Sequence, residues 1–336
     1  MVFWKNCCLV LALVFLLGPT SRAKAGGPGP DYIPQDRDIA TRVYAQVVST
    51  PCPVFRNPCD DLEGCKPVRF LEGDFVWVSL ESPDPVDSGG QLWYLINPGE
   101  FVPSEYLLIK PVSQFNGISI KEDQFFPFAW VIMDAYITQN PGSYFNPSDK
   151  PIAKYTMIKI LQAKRIGRWN WYRIDDNWWI EQRMVAMVQA RPRPEGIGPD
   201  EKWIDADLYE QTICAYEGDK MVYATLISSG VRDYETVQGK YRIWIKARSA
   251  KMSGGEKEGT RYFLEDVPYH MYFLSNYAIH GVYWHNRFGT RQSHGCLNVS
   301  LKDARWFFYW THPVPSTKSN WTKATAQDPG TWVVVH

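Results

Sequence analysis

The sequence predicts a mainly β protein, and three observations lead to this class. Aromatic residues are frequent, with 15 Trp, 19 Tyr and 16 Phe among 336 residues, and such residues favour strands. The 24 Gly and 24 Pro divide the chain into short segments joined by turns. Residues 303–310 are the best candidate for a helix. We therefore expect many short strands and one or two short helices.

The charge balance excludes one large class of partner. Lys plus Arg and Asp plus Glu both total 36, so the formal net charge is zero. A nucleic-acid-binding protein normally carries a basic excess, and this chain has none. A disordered chain would contain fewer hydrophobic residues than the 45% found here. We expect a folded protein that does not bind nucleic acid.

The N-terminus has the pattern of a secretory signal peptide. Lys5 precedes an apolar run at residues 9–17, and the small residues within 23–25 fit a cleavage site. The run is shorter than the roughly 18 residues that span a bilayer, so a permanent anchor is the weaker interpretation. We expect residues 1–25 to be removed, residues 26–37 to form a flexible leader, and the protein to be exported.

Five cysteines follow the predicted cleavage site, and export makes disulfides feasible. Cys52, Cys59 and Cys65 lie close together, so we expect one bridge among them, although the sequence does not identify the pair. An odd count leaves at least one free thiol. A thiol retained in an exported protein is a candidate functional group.

The first half of the chain contains a weak internal repeat. Residues 93–96 and 171–174 are aromatic-rich, and each run is followed by a polar turn and a second strand-like run, at 101–103 and 179–181. Both copies therefore predict a β-hairpin.

Each hairpin has a further strand-like run upstream, at residues 75–78 and 156–160. Short strands at this spacing predict two small barrels, and the pattern resembles bacterial SH3-like domains at 38–110 and 125–190. Their aromatic side chains either fill the barrel cores or line a groove for glycan or peptide. The Pro-rich residues 191–199 are expected to form a linker.

The part after the linker is also rich in predicted strands. Residues 212–216 and 221–227 flank a polar turn and predict a hairpin. The helix candidate at 303–310 and a closing strand at 331–335 follow. We expect a β-sandwich with one or two short helices.

The chemistry is concentrated in residues 293–298, which read Ser-His-Gly-Cys-Leu-Asn. A thiol attacks well only as thiolate, so Cys296 needs a base such as His280 or His294. Gly295 has no side chain to obstruct a substrate carbonyl, and it leaves backbone N–H groups to face a developing oxyanion.

Three other interpretations of this cluster remain open. Cys296 and the histidines could be structural, or Cys296 could form a disulfide. His280, His285, His294 and Cys296 are also ligand types that zinc accepts. The sequence contains no Cys-x-x-Cys or His-Glu-x-x-His pattern, which weakens the metal interpretation.

At these residues the third part, 200–336, resembles the L,D-transpeptidase catalytic domain, also called the YkuD domain. The family signature is a His followed, after a gap, by Ser/Thr-His-Gly-Cys, an apolar residue and Asn or Arg. Here it is His280 and residues 293–298. A second family element, Ser-Gly followed by Thr-Pro-x-Gly-x-Phe, corresponds to residues 229–230 and 236–241, with Val and Tyr in place of the usual Pro and Phe.

The resemblance implies specific roles for these positions. Cys296 matches the nucleophile, and His280 matches the base, with the backbone carbonyl of Gly281 orienting its imidazole. His294 would help to bind substrate or the oxyanion. The backbone N–H groups of Gly295 and Cys296 would form the oxyanion hole.

The resemblance also implies a substrate cleft. Trp284 and Asn298 match positions that shape it, Met271 matches a cleft-lining position, and Ser293 is grouped with them as a substrate-binding residue. His285 has no family role and is interpreted as structural or peripheral.

The resemblance implies acyl transfer on the stem peptides of peptidoglycan through a Cys296 thioester. An amine of a second stem would then accept the acyl group, which gives a cross-link between two third-position residues. With water as acceptor the enzyme would be a carboxypeptidase, and a wall-binding protein with weak catalytic activity is a further alternative. No metal or organic cofactor is expected, and carbapenem-type β-lactams should acylate Cys296.

Overall fold

The computed structural model describes residues 42–62, 64–143, 148, 150–255 and 259–336. The predicted signal peptide and leader lie outside the described residues. Within the described residues, no helix is both long and apolar enough to cross a membrane.

The chain before residue 200 forms short strands, and Ser104–Tyr106 and Gln182–Met184 form short 3-10 helices. These strands are β1 (Val43–Val47), β2 (Cys52–Val54), β3 (Arg69–Leu71), β4 (Phe75–Leu80), β5 (Val86–Ser88), β6 (Gln91–Asn97), β7 (Glu100–Pro103), β8 (Leu107–Ile109), β9 (Ile118–Ser119), β10 (Phe128–Val131), β11 (Met157–Lys159), β12 (Gln162–Ile166), β13 (Trp169–Arg173), β14 (Trp179–Glu181) and β15 (Val185–Val188).

The chain after residue 200 forms longer strands and the helix α1 (Leu301–Trp310), which contains the predicted helix 303–310. Its first turn is capped by the Ser300 hydroxyl, which accepts a hydrogen bond from the Asp303 N–H. The strands are β16 (Lys202–Asp207), β17 (Thr212–Glu217), β18 (Lys220–Leu226), β19 (Gly239–Arg242), β20 (Ile245–Gly254), β21 (Tyr262–Leu274), β22 (Tyr277–Gly281), β23 (Leu297–Val299), β24 (Trp321–Lys323) and β25 (Trp332–Val335).

Two sheets and α1 enclose the main core. One sheet has the order β19-β25-β16-β17-β18-β9, and the other runs β23-β22-β21-β4-β1-β8, with β20 paired to β21 and β24 paired to β20. A single cluster of buried side chains draws on both sheets and on α1, including Ile213, Met271 and Phe307. The predicted β-sandwich with a short helix is therefore present, and so are the hairpin β17–β18 and the closing strand β25.

The N-terminal strands form open sheets in place of the two predicted barrels. The predicted hairpins are present as β6–β7 and β13–β14. However, the small sheets contain two or three strands each. The strands β1, β4 and β8 extend the larger sandwich sheet, because β4 pairs in parallel with β21. In the first of the two predicted domains, pairing with the C-terminal part thus uses a strand edge that a separate closed barrel would need. SH3-like barrels are not shown.

The cysteine pairing and the linker are also defined. Cys59 and Cys65 form the disulfide, whereas Cys52, Cys214 and Cys296 are free and buried. The predicted linker lies between β15 and β16 and has no regular structure, but Ile197 within it is buried in a hydrophobic cluster. The linker is therefore packed against the fold.

Candidate active site

The pairing of three neighbouring strands decides where the predicted residues lie. Met271 on β21 is directly opposite Ile279 on β22, and Ile279 is opposite Leu297 on β23. Side chains alternate between the two faces of a sheet, and directly paired residues share a face. Met271, Ile279 and Leu297 all lie in the sandwich core, so we call theirs the core face. The alternate residues form the opposite, site face: His270, Tyr272, His280, Cys296 and Asn298.

Two observations support this assignment of the site face. The His270 and His280 rings are stacked, with centroids 5.1 Å apart. His280 is directly opposite Asn298 in the parallel β22–β23 pair, and Cys296 precedes Asn298 by two residues. The register therefore brings the predicted base and the predicted nucleophile to one face of adjacent strands.

Cys296 is a free thiol with 9% of its surface exposed. Its Sγ lies 3.6 Å from the carbonyl oxygen of Asn276. Burial raises the pKa of the thiol from 9.0 to about 11, although the backbone N–H of Ala278 favours the thiolate. The resting group at neutral pH is therefore the protonated thiol.

His280 is almost fully buried, and its Nδ1 lies 3.1 Å from the carbonyl oxygen of Gly281. A carbonyl can only accept, so this contact assigns the proton to Nδ1 and leaves Nε2 free to accept a proton. Burial lowers the pKa of the imidazole from 6.5 to about 4. At neutral pH the ring is uncharged, which is the form a general base requires.

The loop that carries Cys296 is held by Ser293. The Ser293 hydroxyl donates to the carbonyl of Cys296 at 2.6 Å and accepts from the N–H of Gly295 at 3.1 Å. Gly295 has φ +114°, and a Cβ on it would lie 2.6 Å from the Tyr277 ring, so no side chain fits there. Because Ser293 engages the Gly295 N–H, an oxyanion would have to compete for this predicted donor.

The second family element, at residues 229–230 and 236–241, also holds the loop that carries Cys296. The Thr236 hydroxyl donates to the carbonyl of Gly295 at 2.8 Å and accepts from the N–H of Gly230 at 3.0 Å. The N–H of Ser293 also donates to the carbonyl of Ser229 at 3.0 Å. Residues 229–236 thus position the loop that carries Cys296.

His294 is exposed, in contrast to its buried neighbours Gly295 and Cys296. Its ring lies between Tyr234, at 4.4 Å between centroids, and Tyr262, at 5.8 Å. Burial, with a smaller contribution from Cys296, raises the pKa of the Tyr262 phenol. His294 therefore stands at the solvent side of the thiol, where a substrate could contact it.

Trp284 is half-buried, with its ring centroid 6.0 Å from that of His280. Asn298 is buried, and its Nδ2 lies 3.2 Å from Nε2 of His285. The Arg287 N–H donates to Nδ1 of His285, so Nε2 carries the proton and needs an acceptor. If the Asn298 side-chain amide is rotated by 180°, its Oδ1 becomes this acceptor. In the present orientation Oδ1 has no partner among the described residues. His285 thus orients Asn298.

Burial also keeps His285 uncharged. Burial, together with smaller contributions from the nearby His280, Arg287 and Lys154, lowers the pKa of that imidazole from 6.5 to about 4. This environment agrees with the structural role predicted for His285.

The expectation that Met271 lines the cleft is corrected by the structure. Met271 is fully buried, and its Sδ lies 3.5 Å from the Thr311 hydroxyl. The physical reason is the strand register, which turns Met271 to the core face.

Sequence reasoning missed two neighbours of Met271 on the site face. His270 is fully buried between His280 and Tyr272, and burial lowers its pKa well below 6.5. Burial raises the pKa of the Tyr272 phenol, and Cys296 adds to the effect. Strand alternation around Met271 would have identified both residues, had its face been known.

Among the described residues, no group of three His, Cys, Asp or Glu side chains could hold a metal ion.

Comparisons with known proteins agree with the chemistry of this site. Residues 201–335 match the family model of the L,D-transpeptidase catalytic domain, YkuD. A Bacillus subtilis (strain 168) protein named as a candidate L,D-transpeptidase, YciB, is 26% identical over 114 residues. That match covers 32% of this chain and 59% of the relative, so the chain spans less than two thirds of the relative's length.

Parts of this chain are also similar to solved structures of L,D-transpeptidases. The catalytic domain of the E. faecium L,D-transpeptidase is 25% identical, over 41% of this chain and 98% of that one, with a TM-score of 0.32. L,D-transpeptidase 3 from Mycobacterium tuberculosis, with a faropenem-derived adduct, is 20% identical, over 49% and 76%, with a TM-score of 0.33. The part of the chain that matches the YkuD L,D-transpeptidase catalytic domain, residues 201–335, contains the whole Cys296 site.

Proposed function

We propose that the protein is an exported L,D-transpeptidase that forms cross-links between third-position residues of peptidoglycan stems. The observation that carries the proposal is the pairing of β22 with β23, which places neutral His280 and the Cys296 thiol on one sheet face. The Gly281 carbonyl holds the imidazole with Nε2 able to accept a proton.

The first half-reaction acylates Cys296. Its Sγ attacks the carbonyl of the third stem residue while Nε2 of His280 takes the thiol proton. Both groups are uncharged at rest, so proton transfer accompanies attack. The backbone N–H of Cys296 stabilises the oxyanion. The imidazolium then protonates the leaving amine of the terminal D-amino acid, and a thioester remains.

The second half-reaction restores the enzyme. The side-chain amine of another stem attacks the thioester, and Nε2 of His280 accepts a proton from it. The sulfur leaves and regains that proton from the imidazolium. The product is a new amide between the two stems, and the thioester divides one difficult exchange into two easier steps.

Export is part of the proposal. It rests on the signal-peptide pattern at residues 1–25 and agrees with the Cys59–Cys65 disulfide, because disulfides persist in oxidising compartments.

Mass spectrometry of products tests the proposed reaction. Mature protein incubated with a disaccharide-tetrapeptide should give a dimer that has lost one D-Ala. Tripeptide without dimer would favour the carboxypeptidase, and unchanged substrate would contradict both enzymes. Cys296→Ala is the negative control. Since a relative is known with a faropenem-derived adduct, faropenem or a carbapenem should add its mass to the wild type and not to Cys296→Ala.

A further inference from the structure

Three aromatic side chains lie together at the outer end of the site face: Trp244, Tyr272 and Trp321. The Tyr272 ring centroid is 6.2 Å from that of Trp321, with 17° between the planes, and 6.3 Å from that of Trp244. Trp244 and Trp321 are 42% and 44% exposed, whereas Tyr272 is half-buried. We call these three residues the aromatic shelf.

Backbone pairing places the shelf on the same face as the nucleophile. Ala247 on β20 is directly opposite both His270 on β21 and Trp321 on β24. Directly opposed residues share a face, so Trp321 lies on the site face with His270. Ala247 is small and fully buried, which leaves room for the Trp321 ring above it. The backbone N–H of Trp244 donates to the backbone carbonyl of Tyr272 at 2.9 Å, so the two residues are neighbours, and their ring centroids are 6.3 Å apart.

The chemistry of the shelf suits a sugar better than a peptide carboxylate. The shelf itself carries no charge, and its flat π surfaces can stack on the apolar C–H faces of a pyranose ring. Trp244 and Trp321 are exposed, so their indole N–H groups can donate to sugar hydroxyl or acetamido oxygens.

The distance from the nucleophile also fits a sugar. Adjacent strands lie about 4.8 Å apart, so β21 is about 10 Å and β24 about 19 Å from β23. Three extended residues span about 10 Å. With the third stem residue at Cys296, the first would lie near Tyr272, and the attached amino sugar would lie near Trp321.

We propose that the aromatic shelf binds the glycan portion of the donor, by stacking of the muramyl sugar on Trp321 and Tyr272. This proposal rests on the proposed function, because it takes the third-position carbonyl to be at Cys296. It gives the site a preference for stems that are still attached to glycan over free peptides.

Calorimetric titration of Cys296→Ala protein, which cannot turn over its ligand, tests the shelf separately from catalysis. The ligands are a disaccharide-tetrapeptide and the same tetrapeptide without sugar. The sugar should strengthen binding about tenfold, the effect of one good aromatic contact. Adding Trp321→Ala should remove that gain and leave tetrapeptide binding unchanged, whereas Trp321→Tyr should keep most of it.

Tyr136→Ala is the matched control, since Tyr136 is 58% exposed and lies outside the sandwich strands. It should change neither affinity, and circular dichroism should show that each variant is folded. The proposal that the aromatic shelf binds glycan would be rejected by equal affinity for the two ligands. It would also be rejected if Trp321→Ala kept the affinity that the sugar adds. Product formation by the wild type is scored separately, so the proposed function can stand when the shelf fails.

Discussion

The two faces of the β21–β22–β23 sheet are both largely buried, but they are chemically different. On the core face, Met271, Ile279 and Leu297 have no exposed surface. On the site face, His280 is 1% and Cys296 9% exposed. Burial therefore does not distinguish the core from the candidate active site.

The two faces differ in how burial changes the free energy of their side chains. Apolar side chains gain free energy when they leave water, whereas a charged group loses hydration. On the site face this cost holds the groups in their neutral forms, as the lowered pKa of His280 and the raised pKa of Cys296 show. A buried face can thus keep a base and a nucleophile uncharged until substrate arrives.

Removing the thiol should have the largest effect. Cys296→Ala is expected to lower acylation by faropenem by at least about a thousandfold, because no other group forms the covalent bond. Stability should change by no more than about 1 kcal/mol, since only one small side chain is shortened. Intact-protein mass spectrometry and thermal melting measure the two effects. A drug adduct on Cys296→Ala would reject Cys296 as the nucleophile.

The matching change on the core face should have the opposite profile. Met271→Ala is expected to lower the free energy of unfolding by about 2–5 kcal/mol, because it opens a cavity in the core. Met271→Leu, which nearly conserves volume, should cost less than about 1.5 kcal/mol. Denaturant titration measures stability, and the acylation rate of the folded fraction should stay near wild type. A stable Met271→Ala protein with weakened substrate binding would show that Met271 lines the cleft after all.

The site should stay active to a lower pH than a histidine with an ordinary pKa would allow. The base works only when neutral, and the pKa of His280 is lowered from 6.5 to about 4. The rate of faropenem acylation should therefore change little between pH 7 and 5 and fall steeply near pH 4. An inflection between pH 6 and 7 would show that the imidazole is not the neutral, buried group described here.

Stability provides the control for this pH profile. The unfolded state binds a proton at His280 near pH 6.5, and the folded state does so only near pH 4. The stabilisation from neutral His280 is thus complete above about pH 6.5 and is lost as the pH falls towards 4, by up to about 1.4 kcal/mol per pH unit. Circular dichroism at each pH would separate unfolding from protonation of the base.

A moderate effect on both stability and acylation is expected when the support of the loop that carries Cys296 is weakened. Thr236→Val removes a hydroxyl that joins Gly230 to Gly295 and should cost about 1–3 kcal/mol, because two buried backbone groups lose a partner. Acylation should slow less than tenfold, since the reacting groups remain. Thr236→Ser keeps the hydroxyl and should resemble the wild type in both melting and acylation. Equal behaviour of the Val and Ser variants would remove Thr236 from the positioning role.

The local elements were readable from the sequence because their signals lie within a few residues. The hairpins β6–β7, β13–β14 and β17–β18 have aromatic or β-branched runs beside polar turns, and α1 contains the predicted helix. The Ser-His-Gly-Cys motif also identified the part of the chain that the family model matches, residues 201–335.

What the sequence could not provide is strand register, because pairing joins residues that are far apart in the chain. A shift of one residue exchanges the two faces of a strand. Met271 was consequently assigned to a cleft that it does not line, whereas His270 and Tyr272, one residue to either side of it, were passed over. The pairing of β4 with β21, which joins strands of the first predicted domain to the sandwich, likewise has no local signal in the sequence.

The sequence by itself determined the mainly β class, the local hairpins and helix, and which thiol and which histidines are the candidates for catalysis. The tertiary structure alone decided which side chains share a face with that thiol, which cysteines pair, and how the N-terminal strands extend the sandwich sheets. The physical reason is that side-chain type and turn chemistry are local properties. Register, burial and the resulting pKa shifts depend on contacts between distant segments.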